Sequence, residues 1–153
     1  MPSTHKARQA MFQLADETGD GPIYDLGSGW GHLVIRLAKR YPQRKIVAYE
    51  LSILPWLTTV VLKKILGLSN LTIHRENFLK ADLSQASVIM CYLHLEAMAA
   101  IKEKLCLDGS EADYLISHNF ALPSESSLKV IRLNDFYQSP VYLYRLNYLN
   151  AQA

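Results

Sequence analysis

Ile23-Tyr24-Asp25-Leu26-Gly27-Ser28-Gly29-Trp30-Gly31-His32 decides how the rest of the chain is read. Ile23-Tyr24-Asp25-Leu26 suits a short strand, and Leu33, Ile35, Leu37 and Ala38 place an apolar face on a helix from His32 to Tyr41, closed by Pro42. Between them lies a loop with glycine at alternate positions, where the backbone can take positive φ and a ligand can approach the chain closely. The dinucleotide fingerprint G-x-G-x-x-G fails here, because its third glycine would fall at position 32, which is His32. Asp25 would also oppose a pyrophosphate, whereas it suits a cationic amino group.

Outward from this stretch, strand and helix alternate. Thr4 to Asp16 reads as a helix with Ala7, Met11, Leu14 and Ala15 on one side, ended by Gly19-Asp20-Gly21-Pro22. A second strand spans 45–50. A helix follows, with Ser52 as its N-cap, Pro55 in its first turn and Gly67 as its stop. Leu71 to His74 is a third strand. Ser87 to Cys91 is a fourth, continuously apolar as a strand buried on both faces should be. His94 to Leu105 is a helix, and Tyr114 to Ser117 a fifth strand. Leu128 to Leu133 and Val141 to Leu146 then read as two strands with no helix before them. This pattern predicts an α/β, Rossmann-like three-layer sandwich. Its seven-strand sheet is mostly parallel and ends in an antiparallel C-terminal pair, with residues 1–153 forming a single domain.

Composition narrows the function. With 16 basic and 14 acidic residues the formal net charge is +2, too small an excess to argue for a nucleic-acid surface. The densest basic cluster, Lys39, Arg40, Arg44 and Lys45, reads as the solvated end of a helix and the turn after it. Cys91 and Cys106 form neither a CxxC pair nor a disulfide framework, which suits a reducing, cytoplasmic compartment. The five histidines have no metal-type spacing, so no metal is expected. Met1 to Asp20 does not read as a signal peptide, and Leu51 to Leu68 is broken by Pro55, Lys63, Lys64 and Gly67, so stable membrane insertion is not expected. Two readings of Ile53 to Leu66 stay open: Trp56, Leu57, Val60 and Val61 pack under the sheet, or part of this apolar surface faces outward.

The candidate functional residues fall at strand ends, where open α/β sheets bind ligands. S-adenosylmethionine carries a cationic amino group and no phosphate, so Asp25, Gly27, Ser28, Gly29 and Gly31 are the expected cradle for that cofactor. Glu50, ending the second strand, can accept hydrogen bonds from both ribose hydroxyls. Asn77 can accept from the adenine amino group while Phe78 covers the ring; an Asx turn at Asn77 is the competing reading. Cys91 and Tyr92 end the fourth strand, where the transferred methyl should point. Tyr92, His94 and Asn119 are candidates for orienting the acceptor, with Tyr92 and Asn119 the catalytic pair favoured.

Together these residues resemble the class I methyltransferases over nearly the whole chain. Tyr24-Asp25-Leu26-Gly27-Ser28-Gly29, Tyr49-Glu50-Leu51 and Pro55-Trp56 are similar to a narrower group, the small protein-lysine methyltransferases whose mitochondrial members modify the adenine nucleotide translocase and the ATP synthase c subunit. Tyr92-Leu93 and the tail from Ser139 to Arg145 are similar too, and Pro2-Ser3-Thr4 resembles the end of that family's segment running over the cofactor. Trp30 stands where the family usually has an acid, and Asn77 where it usually has Asp. The resemblance implies Leu51 as a further cofactor contact and N-methylation of a lysine in a protein at or near a membrane surface. A binding module that has lost turnover, and an enzyme acting on RNA or a small molecule, are the alternatives.

Overall fold

In the computed structural model, which describes residues 4–146, seven strands form one sheet in the order β3-β2-β1-β4-β5-β7-β6. They are β1 (Ile23–Leu26), β2 (Ile46–Tyr49), β3 (Leu71–His74), β4 (Val88–Cys91), β5 (Tyr114–His118), β6 (Lys129–Arg132) and β7 (Pro140–Arg145). The helices are α1 (His5–Ala15), α2 (His32–Arg40), α3 (Ile53–Leu66) and α4 (Leu95–Leu107). The first five strands are parallel, and β7 runs antiparallel to both β5 and β6. Pro2 and Ser3, compared above with the family's leading segment, lie outside the described residues.

Two cores form because strand side chains alternate between faces. Ile23, Ile46, Val88 and Met90 meet Met11 and Leu14 of α1 and Val34 and Leu37 of α2. Tyr24, Val47, Ile89 and Leu115 meet Met98, Ile101 and Leu105 of α4 on the other side. The central strands are buried on both faces, which explains their continuous apolar runs. β1 lies between β2 and β4, so the strand order reverses there, and a crevice opens beyond the carboxyl ends of those strands.

Two local expectations are corrected, at Arg44 and in α3, and a third, Ser52 as N-cap, holds in position. Arg44 is buried: its Nε donates to the Gly21 carbonyl at 2.7 Å and its guanidinium lies 5.4 Å from the centre of the Tyr41 ring. Ser52 occupies the N-cap position of α3 without a side-chain capping bond; its backbone N–H donates to Glu50 Oε1 at 2.9 Å. The helix α3 does not tuck its apolar residues under the sheet, since Leu57 and Val61 are exposed and Trp56 and Val60 only partly covered.

Candidate active site

The crevice beyond β1 and β4 is a cavity of about 610 Å³. The glycine loop supplies Asp25, Gly27, Ser28, Gly29 and Trp30; the end of β2 and the start of α3 add Glu50, Ser52 and Pro55; the end of β4 adds Tyr92, Leu93 and His94. Met11 and Phe120 also reach its wall. The structure therefore brings together Asp25, Gly27, Ser28, Gly29, Glu50, Tyr92 and His94 of the expected residues.

The loop is held open by its own backbone and by Glu50. Gly29 has φ +56°, and a Cβ built on it would meet nothing within 4 Å, so the space beside it is free for a ligand. Gly31 is needed for another reason. It has φ +83°, and a Cβ there would sit 2.6 Å from Thr59 Oγ1, so the residue lets α3 approach the start of α2. Glu50 Oε2 accepts from the Gly29 N–H at 2.7 Å while Oε1 accepts from Ser52 N–H. One carboxylate thus ties the β1 loop to the α3 loop, with lone pairs on both oxygens left to accept further hydrogen bonds.

Asp25 is buried with Oδ2 lacking a hydrogen-bond partner, and Ser28 Oγ is likewise buried and unpartnered. Desolvation, with the neighbouring Glu50 carboxylate adding to it, pushes the Asp25 carboxyl up to about 7. A buried acceptor without a donor is costly. A cationic donor entering the cavity would satisfy Asp25 and draw its pKa back down.

Tyr92 is fixed from behind. Its ring stacks on that of His118 with centroids 4.5 Å apart. His118 is buried at the end of β5, its Nδ1 lacks a partner, and burial holds its pKa below the usual value. After it the chain turns sharply: Asn119 has φ +75° and its N–H donates to the Pro140 carbonyl at 2.8 Å, while Ser117 Oγ donates to the Phe120 carbonyl at 2.6 Å. This turn points Phe120 into the cavity wall and leaves Asn119 exposed outside the lining. Met11 reads in the sequence only as part of the apolar face of α1, and Phe120 and His118 carry no pattern of their own; only the strand-end position after β5 could have pointed to Phe120.

Other expected residues sit at the same sheet edge but outside the lining. Leu51 is exposed. Cys91 is fully buried, its Sγ 3.6 Å from Met98 Sδ, and desolvation pushes the thiol up to about 12, so it stays protonated. Asn77 Oδ1 accepts from the Leu79 N–H at 3.0 Å and caps a 3-10 turn over Phe78–Lys80, as the Asx-turn reading has it. Phe78 packs against the core beneath. No group of three or more His, Cys, Asp or Glu that could hold a metal exists among the described residues.

The sheet order and the open glycine loop at the strand-order reversal are those of a class I methyltransferase, and the family match makes it S-adenosylmethionine-dependent. Within that class the chain belongs to the ANTKMT methyltransferase domain family, whose model matches residues 25–129. It is similar to a protein-lysine N-methyltransferase of Saccharolobus islandicus, with 27% identity over 148 residues, 94% of this chain and 91% of that one. Among solved structures, an RNA methyltransferase from Salinibacter ruber in complex with S-adenosyl-L-homocysteine superposes with a TM-score of 0.83 at 24% identity, covering 95% of this chain and 93% of that one. A methyltransferase of Escherichia coli superposes with a TM-score of 0.76 at 18% identity, covering 95% and 87%. At those identities the two structures speak for the fold.

Proposed function

We propose that this chain, acting as one domain over residues 1–153, methylates the side-chain amine of a lysine in a protein acceptor. The observation that carries the cofactor half is the unpartnered Asp25 Oδ2, buried at the start of a glycine loop tied back by Glu50. The acceptor half is supported by the family and by the relative from Saccharolobus islandicus, a protein-lysine N-methyltransferase by name.

In this reading Asp25 binds the cofactor's ammonium, Ser28 and the loop backbone hold its amino-acid end, and Glu50 takes the ribose. The bound cofactor supplies an electrophilic methyl on sulfur. Tyr92, with Leu93 and Phe120 beside it, walls the transfer end of the cavity and excludes water. A lysine amine is protonated near a pKa of about 10.4 and must lose its proton before it can attack. Among the described residues no carboxylate other than Asp25 and Glu50 lines the cavity, so placement of the neutral amine against Tyr92 supplies most of the acceleration.

The acceptor is read as a protein at or near a membrane, supported by the exposed apolar face of α3. No described helix is long and apolar enough to cross a membrane. Both cysteines are free, which suits a cytoplasmic setting. Nucleic acid is not the expected acceptor, given a net charge of only +2. The test incubates the protein and label-bearing S-adenosylmethionine with separated soluble-protein, membrane-protein, RNA and small-molecule fractions. Label in membrane protein, recovered as methyl-lysine after hydrolysis, supports the reading. Label confined to RNA or metabolites moves the chain to those acceptors, and cofactor binding without label anywhere makes it a binding module.

A further inference from the structure

The helix α3 leaves much of its apolar surface facing outward. Its one fully buried residue is Thr59, pressed against the Gly31 backbone. Ile53, Leu57, Val61 and Ile65, each one turn from the next, form a stripe on the outer side with exposures of 58%, 45%, 46% and 72%, and Leu54 beside them is 67% exposed. A helix covering a sheet ordinarily turns such a stripe inward. The charge carried by α2 and α3 themselves has one sign. Neither α2 nor α3 contains an Asp or Glu, while α2 carries Arg36, Lys39 and Arg40 and α3 carries Lys63 and Lys64. Arg40 is ion-paired with Asp16, and Arg36 and Lys39 border the groove between the two helices together with Leu62. Trp30, half exposed, lines both that groove and the active-site cavity, so this face is continuous with the cavity mouth.

We propose that the α2–α3 face docks on an anionic lipid bilayer. The stripe from Ile53 to Ile65 lies at the boundary between headgroups and acyl chains, and Arg36, Lys39 and Lys64 meet lipid phosphates. Apolar residues along one side of a helix with only basic residues around them are what such an interface selects. Trp30 is the kind of side chain that settles at headgroup depth. The stripe runs along the outward crest of a helix rather than within a groove, which favours a fluid lipid surface over a partner protein that would need matching relief. Docked this way, the cavity mouth opens close to the bilayer. The purpose of the docking rests on the reading of a membrane-side acceptor, but vesicle binding needs neither cofactor nor acceptor and so is tested apart from methyl transfer.

The experiment sediments the full chain with vesicles of phosphatidylcholine alone and of phosphatidylcholine mixed with phosphatidylglycerol. The chain should pellet with the mixed vesicles and be released as salt rises. Leu57→Ser with Val61→Ser should lower binding by about tenfold or more through lost apolar contact. Arg36→Glu with Lys39→Glu should remove the preference for the anionic lipid at unchanged melting temperature. Failure to pellet with either vesicle overturns the idea. So does vesicle binding that neither pair of substitutions alters. Self-association broken by Leu57→Ser with Val61→Ser, without vesicle binding, would also overturn it and assign the face to a second copy of the chain.

Discussion

Cofactor affinity should rise with pH in the neutral range, because the carboxyl meant to meet the cofactor's ammonium is held up to about 7 by burial and by Glu50. Only the ionised form attracts a cation. Between about pH 6 and about pH 7.5 the ionised fraction of a group with that pKa climbs from about a tenth to about three quarters, and with the partial loss of the ammonium's own proton included the affinity should tighten roughly five- to sixfold. The cofactor's own α-amino group, ordinarily titrating at about 7.7–8.0, stays mostly charged across that window. Titration calorimetry at the two pH values measures this directly. His32, His94 and Glu50 line the same cavity, so the comparison with Asp25→Asn isolates Asp25. That variant should bind weakly at both pH values and lose most of the dependence. The same shift acts on stability with a definite sign. A folded pKa raised above the unfolded value of 3.8 favours folding at low pH, and that contribution is lost as pH rises towards about 7. The cofactor-free Asp25→Asn protein should therefore melt higher than the wild type at pH 8, and the gap should close towards pH 4. A wild-type affinity that does not change with pH, or an undiminished dependence in Asp25→Asn, would refute the role given to this carboxyl.

Gly29→Val should abolish cofactor binding with little loss of stability beyond its backbone strain, since the added side chain enters the open cavity; calorimetry and a melting curve separate the two effects. Glu50→Ala should weaken binding by about 1.5–3 kcal/mol, the range for hydrogen bonds to a charged group, and additionally loosen the Gly29 loop. Tyr92→Ala should cut the rate of methyl transfer far more than cofactor affinity, measured by single-turnover label transfer beside calorimetry. Gly31→Ala should destabilise the fold by about 1–3 kcal/mol, because α3 must shift away from the new methyl at a left-handed φ; denaturant melts report it.

The parts of this molecule that are legible in its sequence are those set by local pattern. The apolar runs at Ile23, Ile46 and Val88 become the doubly covered strands because burial on both faces leaves no polar alternation to misread. The glycine loop and Glu50 are legible because strand ends at an order reversal can face only one crevice. The orientation of α3 is not legible, because a helix apolar on nearly every side has no contrast from which a facing direction could be read. Arg44 looks solvated in sequence and is drawn inward by the Gly21 carbonyl and the Tyr41 ring, partners that only the fold supplies. Phe120 reaches the site through the Asn119 turn, whose non-glycine left-handed residue gives no warning in the sequence, and His118 acts only from behind Tyr92. At Asn77 the local Asx turn holds the oxygen expected to meet adenine.

Peptide-level mass spectrometry of the methylated acceptor tests the central claim most directly, using label-bearing S-adenosylmethionine with the wild-type protein and with Gly29→Val in parallel. The label is expected on a lysine side chain of a protein, present with the wild type and missing with Gly29→Val. Label on any other residue or molecule, or label that persists at full level in Gly29→Val, would contradict it.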